Sequence, residues 1–237
     1  QNPAIVFFFG GGWRSGTPQQ FYHHCQYFAS QGMVAATADY RVLSRHGTPA
    51  KECVADGKSA VRYLRENAKQ WGIDPERIVA AGGSAGGHVA ACTGIIDGFE
   101  SDDETENISS VPNAMILFNP ALVLAPVGDL RFLREESING LRERMGVEPR
   151  DLSPYHHVRK GLPPTLIVHG QADTTVPFKT AEIFADAMKQ AGNDCTLVGY
   201  EDQPHGFFNY GRSGNRHYRA TLAEAEKFLQ RLDYLSK

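Results

Sequence analysis

Arg77-Ile78-Val79-Ala80-Ala81-Gly82-Gly83-Ser84-Ala85-Gly86-Gly87-His88-Val89-Ala90-Ala91 is the stretch on which the reading of this chain turns. It reads as a short apolar strand, a turn of small residues with Ser84 at its apex, and the start of an alanine-rich helix. A Gly-x-Ser-x-Gly turn reverses so tightly that side chains two residues either side of the serine collide, so Gly82 and Gly86 are steric requirements. The turn lifts the hydroxyl clear of the sheet, and the helix behind aims its N-terminal N–H groups at it. Taken alone the pattern is weak. Glycine and serine are common enough that chance supplies it with a probability on the order of 0.1 in a chain of this length. The alternative is an ordinary strand-to-helix turn or a phosphate-binding loop, and the rest of the chain has to decide.

Working outward, residues 4–9 form a continuous apolar run of β-formers, as in a strand covered on both faces. It ends in Gly10-Gly11-Gly12-Trp13. A helix is expected over 19–30, a buried strand over 33–38, and a helical stripe over 49–71 that stops at Gly72. The strand at 78–81 and the helix after Ser84 follow. A polar segment at 97–112 carries Glu100, Asp102, Asp103, Glu104 and Glu106; it lacks the Gly and terminal Glu of a calcium loop and reads as solvated. Residues 116–118 and 165–169 continue the strand series. Pro177 opens a helix closed by Gly192, the asymmetry of helix ends. The last strand spans 195–200, and Tyr218, Leu222, Ala225, Leu229 and Leu232 stripe a final helix. Alternation of this kind predicts an α/β fold, a mostly parallel sheet with helices on both faces.

The organisation reads as one domain over 1–237. An insertion at about 120–163, before the strand at 165–169, includes an amphipathic stretch at 129–145. The start at Gln1, directly ahead of a strand, suggests that N-terminal strands or a leader are absent, which leaves the compartment open. The formal net charge of −3 gives no electrostatic case for nucleic acid or an anionic membrane surface. No apolar run approaches the ~20 residues that span a bilayer. Cys25, Cys53, Cys92 and Cys195 lack ligand spacing and read as buried free thiols, with one disulfide as the alternative. No cofactor or metal is called for, and the adjacent pairs His23-His24 and His156-His157 cannot share one face as ligands.

In a parallel sheet, functional groups collect on loops at the carboxyl ends of strands. Such loops here carry Gly10-Gly11-Gly12, Ser84, His169-Gly170-Gln171-Ala172-Asp173, and Glu201-Asp202-Gln203-Pro204-His205-Gly206-Phe207-Phe208. The set is complete for acyl transfer. Serine needs an imidazole to take its proton, which His205 can do. A buried carboxylate fixes the imidazole tautomer; Asp173 is the candidate and Asp202, three residues before His205, its rival. Oxyanion donors would come from the N–H groups of Gly11, Gly12 and Ala85, such donors being worth roughly 3–4 kcal/mol of barrier each. Trp13, Phe207 and Phe208 flank these loops and Asn119 ends a strand, so all four are candidates for the pocket wall, with core packing as the alternative. Arg131, Arg134, Arg142 and Arg144 in the insertion read as a solvated face, or as a grip for acidic substituents.

With these motifs in hand, the chain resembles the α/β-hydrolase superfamily over nearly its whole length. It is most similar to hormone-sensitive-lipase-like esterases and to the acetylxylan and feruloyl carbohydrate esterases. The resemblance rests on Gly10-Gly11-Gly12-Trp13, Asp39-Tyr40-Arg41, Gly83-Ser84-Ala85-Gly86-Gly87-His88, His169-Gly170 with Asp173, and His205-Gly206-Phe207. The order Ser84, Asp173, His205 is that of the superfamily. Phe9 stands where the family has a histidine, which puts the rigidity of the glycine loop in question. Gly83 replaces an Asp common in the lipase-like branch and tilts the likeness toward the carbohydrate esterases. The resemblance implies a cofactor-independent serine esterase for short, acetyl-type acyl groups, with a small-molecule or oligosaccharide ester as substrate. Two other readings stay open: a peptidase of the prolyl-oligopeptidase type, and a non-catalytic ligand-binding relative. Oligomeric state is not legible.

Overall fold

Neighbouring residues of the first strand set the layering. In β1 (Asn2–Phe8) the side chains alternate, and Phe7 stacks on Phe21 and Phe28 while Phe8 faces Tyr40 and the Gly57 position. Phe21 and Phe28 belong to a 3-10 turn, Pro18–Phe21, and to α1 (Tyr22–Ser30); Gly57 lies in α3 (Ala50–Glu66). One strand therefore carries a helical layer on each face. The computed structural model describes residues 1–101, 107–130 and 135–236, with the backbone alone over 135–139. Asp102, Asp103, Glu104, Glu106, Arg131 and Arg134 lie outside the described residues.

The remaining strands are β2 (Val34–Ala38), β3 (Ile73–Gly83), β4 (Ala114–Phe118), β5 (Thr165–Gly170) and β6 (Cys195–Tyr200). They form a sheet of order β2-β1-β3-β4-β5-β6 in which each neighbouring pair is parallel. Strands β4 and β5 are buried at every position, β4 with a wholly apolar sequence and β5 with Thr165 and His169 at its ends, whereas the edge strands are half-buried. Between them run α2 (Leu43–His46), α4 (Ala68–Trp71), α5 (Ala85–Ile95), α6 (Glu135–Met145) and α7 (Phe178–Gln190), and α8 (Arg216–Arg231) follows β6.

The element boundaries differ from those expected from sequence: the helix over 19–30 is a 3-10 turn and then α1, and the strand at 116–118 begins at Ala114. The stripe over 49–71 is two helices, because Asn67 departs from helical geometry between α3 and α4. The strand expected at 78–81 begins at Ile73, since Asn2 pairs with Ile73 ahead of a register shift. Nor is Glu100 simply solvated. It accepts from Lys58 Nζ at 2.7 Å and Arg62 at 2.8 Å, and Lys58, 2% exposed, also donates to the Ile96 and Gly98 carbonyls. Three acceptors take the place of water around this buried side chain and pin the segment to α3. The cysteines are free thiols, and among the described residues no helix is long and apolar enough to cross a membrane.

His24 is the odd residue of the core. It lies fully buried among Phe7, Phe21, Phe118 and Tyr218, with no partner for either ring nitrogen. Burial, with the nearby His23 charge, pushes its pKa down to about 3. The unfolded chain takes up this proton near pH 6.5, so stability is complete above that value and declines as pH falls toward 3. The expected loss is about 1.4 kcal/mol per pH unit in that window. Chemical denaturation at pH 7 and pH 5 checks it: wild type should lose about 2 kcal/mol more than His24→Leu, and equal losses would refute the assignment.

Candidate active site

The site is built from the close crossing of α5 over the end of β1. Phe8 pairs with Gly82 across the sheet. A Cβ on Gly86 would lie 2.0 Å from the Phe8 carbonyl oxygen, and one on Gly82 would lie 2.3 Å from the Gly86 carbonyl oxygen. Both glycines are thus fixed by backbone contacts, as the spacing predicts. Ser84 sits between them at φ 55° and ψ −120°, a costly conformation for a residue with a Cβ. It is held by its own N–H donating to the Phe118 carbonyl (2.9 Å) and by its carbonyl accepting from His88 N–H (3.0 Å).

From the loops that follow β5 and β6 come two partners. His205 Nε2 lies 2.9 Å from Ser84 Oγ, and His205 Nδ1 lies 2.6 Å from Asp173 Oδ2. An ionised carboxylate can only accept, so Nδ1 carries the ring proton and Nε2 is left to accept from the serine hydroxyl. Asp173 is closed on every side. Its Oδ1 accepts from the N–H groups of Thr175 and Val176 (2.8 and 2.9 Å), and its Oδ2 accepts from Asn119 Nδ2 (2.6 Å) as well as His205. His169 Nε2, which donates to the Val176 carbonyl, stands 3.3 Å from the same Oδ2. Burial alone would raise the acid's pKa. The hydrogen bonds from His169, His205, the Val176 N–H and Asn119 outweigh it and hold Asp173 well below the usual carboxylate range. Asp202 is exposed, and the carboxylate on His205 is that of Asp173.

The glycine loop is pinned without the family histidine. The Phe9 ring stacks on Tyr40 at 4.1 Å and 12°, and the Tyr40 hydroxyl donates to the Phe9 carbonyl. Gly10 N–H donates to Gln20 Oε1 (2.6 Å), and Gln20 Nε2 donates to Asn209 Oδ1 (2.8 Å), whose Nδ2 donates to the Gly206 carbonyl (2.8 Å). One glutamine thereby ties the glycine loop to the loop that carries His205. Gly11 has φ 135°, and a Cβ there would fall 2.1 Å from the Ser15 carbonyl.

A cavity of about 170 Å³ opens above Ser84, walled by Gly12, Trp13 and Ala85 on one side and by Val123, Leu124, Leu141, Arg144 and Val176 on the other. The stretch at 120–163 therefore forms much of its roof. Of the four candidates for the wall, only Trp13 reaches it. Phe207 and Phe208 are 3% and 1% exposed and belong to the core. Phe208 packs against Phe118 and Phe21, and its ring tip fills the space a Gly83 Cβ would need, at 2.5 Å. That contact gives Gly83 a steric reason. Asn119, fully buried, sits behind Asp173. His88 is also fully buried. Its Nδ1 accepts from Trp13 Nε1 (3.0 Å) and its Nε2 donates to the Leu152 carbonyl (2.7 Å), tying cavity wall and roof to α5.

Sequence reasoning missed Gln20 and Asn209 and gave His169 only a strand-end role; amide side chains without a motif give no signal of their own. Gln20→Ala leaves the Gly10 N–H and Asn209 Oδ1 without partners. It should lower the unfolding free energy by about 1–3 kcal/mol, while Gln20→Glu, which keeps the acceptor, should recover part of the loss. Denaturant titration of the three proteins checks this.

The BD-FAE family profile matches residues 1–188, and the dienelactone hydrolase family profile matches 149–235. The propionate-bound esterase Est2 of Thermogutta terrifontis is 54% identical, covering 100% of this chain and 86% of that one at a TM-score of 0.94. The same esterase phosphonylated by sarin superposes at a TM-score of 0.97, with 53% identity and the same coverage. Esterase LipC of Mycobacterium tuberculosis is 28% identical over 86% of this chain and 53% of its own length. The acetylxylan esterase of Xylanibacter ruminicola is 31% identical over 87% and 42%. The chain spans about half the length of the curated relatives it matches. An α/β-hydrolase sheet, a family match over most of its length and an esterase at 54% identity together make this chain a member of the BD-FAE family of α/β-hydrolase esterases.

Proposed function

We propose that this chain is a serine carboxylic-ester hydrolase for short acyl groups, with Ser84 as nucleophile, His205 as general base and acid, and Asp173 as the orienting carboxylate. The observation that carries the reading is the continuous relay Ser84 Oγ to His205 Nε2 (2.9 Å) and His205 Nδ1 to Asp173 Oδ2 (2.6 Å). Ser84 Oγ attacks the ester carbonyl carbon as its proton passes to His205 Nε2. The negative charge forming on the carbonyl oxygen is met by the N–H groups of Gly11, Gly12 and Ala85, the last belonging to the free first turn of α5. Collapse breaks the bond to the alcohol, which leaves with the proton from His205, and an acyl group stays on Ser84. Water, deprotonated by His205, then attacks the acyl carbon; the bond from that carbon to Ser84 Oγ breaks, Oγ takes the proton back from His205, and the acid is released. Asp173 stays ionised throughout, since its donors hold its pKa down.

The cavity supports a short acyl group. About 170 Å³ bounded by Val123, Leu124, Leu141 and Val176 suits acetyl to butyryl groups, and longer chains meet the roof. Propionate- and butyrate-bound forms of the Thermogutta terrifontis esterase support this range. An acetylated carbohydrate is the natural substrate favoured here, supported by the likeness to the acetylxylan esterase of Xylanibacter ruminicola. The partner implied is a small-molecule or oligosaccharide ester, with no cofactor in the reaction. The domain is read as one unit, with 120–163 as its roof.

The test is hydrolysis of para-nitrophenyl acetate, butyrate and octanoate, a prolyl amide and acetylated xylan by wild type and Ser84→Ala. Acetate and butyrate should turn over, octanoate should fall at least about tenfold in kcat/KM, and Ser84→Ala should lose on the order of 10⁴-fold or more in kcat. Mass spectrometry of the quenched wild-type reaction should find the acetyl adduct on Ser84. Equal rates in both proteins refute the mechanism; turnover of the amide alone favours a peptidase, and binding without turnover a receptor.

A further inference from the structure

Beside the Ser84 cavity lies a second one of about 360 Å³, and Trp13 and Arg144 belong to the walls of both. Its other lining includes Arg14, Thr48 and Glu143. The charges here are not balanced in the way they are elsewhere on this face. Arg41 pairs with Asp56 at 2.7 Å, Arg45 with Asp39 at 2.6 Å and Arg142 with Glu148 at 2.6 Å. Among the described residues Arg14 and Arg144 make no ion pair, and Glu143 makes none with either. Burial, and then the facing Arg14 charge, hold the Arg144 pKa below the ordinary guanidinium value. Thr48 lines the cavity as well, with its Oγ1 turned away from the open space and buried. Two guanidinium groups without an ion pair at one cavity are an arrangement that an anionic oxygen group would complete.

We propose that this second cavity holds the alcohol half of the ester and selects alcohols that carry an anionic oxyacid group, a carboxylate or a phosphate, gripped between Arg14 and Arg144. The proposal rests on Ser84 being the nucleophile. The division of halves follows from size and lining: the smaller cavity over Ser84 is walled mainly by aliphatic side chains and suits the acyl group. The larger, charged one suits the leaving group. Arg144, on both walls, places the anion at the junction.

The test compares kcat/KM for meta-acetoxybenzoate, its neutral methyl ester and meta-acetoxyphenyl phosphate. The proteins are wild type, Arg14→Gln, the Arg14→Gln/Arg144→Gln double variant and Arg142→Gln. Wild type should favour at least one anion over the neutral ester, and which anion identifies the source. The anionic-to-neutral ratio should fall about threefold in Arg14→Gln and about tenfold in the double variant, through KM. Arg142→Gln removes the same charge outside both cavities and should keep the ratio within about twofold. Taking the ratio within each protein cancels any loss of folded enzyme, and exposed Arg14 keeps the single variant foldable. An unchanged ratio in the double variant, or an equal fall in Arg142→Gln, overturns the subsite. Turnover of the neutral ester by Ser84→Ala overturns the nucleophile assignment instead, whatever the ratios show.

Discussion

The contact on which the structure depends is the approach of the Gly86 position to the Phe8 carbonyl, where a methyl group would sit 2.0 Å from oxygen. α5 can leave the end of β3 only by passing over the end of β1, and nothing larger than hydrogen fits at the crossing. The price of that crossing is Ser84 at positive φ, a strain of about 1–3 kcal/mol. The neighbouring strands hold it there. Ser84 N–H is bound by the Phe118 carbonyl of β4, and the strand register brings the ends of β1, β4 and β5 level with it. The glycine loop, Asn119 and Asp173 follow directly from those three strand ends. The elbow is thus the reference point of the site as well as its centre.

Two buried titratable groups show how the same burial gives opposite results. Asp173 is enclosed yet ionised, because each oxygen has two donors within 2.9 Å and a histidine stands close by. His24 is enclosed yet neutral, because aromatic rings surround it and offer its nitrogens nothing. Low dielectric penalises charge in both places, and the number of donors decides the outcome. A carboxylate held so far below neutrality stays charged as His205 gains and loses its proton, which is what an orienting group must do.

Much of this was legible in the sequence, for reasons that differ by element. The strands were readable as apolar runs because both faces of the sheet are covered. The elbow was readable because its sterics admit glycine alone at two fixed positions. Ser84, Asp173 and His205 could be brought together because parallel strands put their loops at one edge. Phe207 and Phe208 could not be placed: an aromatic residue beside a catalytic loop supports it from below or walls the pocket from above, and only the packing of Phe208 on Gly83 distinguishes the two. Gln20 and Asn209 were silent because a bridging amide needs only a distance, and residues 189 apart share no pattern. Phe9 was readable only as a departure. Its replacement of a polar support by a ring stacked on Tyr40 is a three-dimensional solution to the same problem.

His88 connects these levels. It sits on the helix that the elbow launches, its Nδ1 accepts from the indole of Trp13, and its Nε2–H donates to the Leu152 carbonyl. That pattern requires the neutral ring with the proton on Nε2. Burial enforces this form, with the pKa pushed down to about 4 against the opposing pull of the Leu152 hydrogen bond. A protonated ring could not accept from Trp13, and Trp13 is a wall of both cavities. The geometry of the pocket therefore depends on the tautomer of a histidine that touches no substrate. It also follows that the roof over Ser84 is no independent lid. Leu152 is anchored to the nucleophile helix through one side chain, so the shape of the site and the placement of its nucleophile are fixed together.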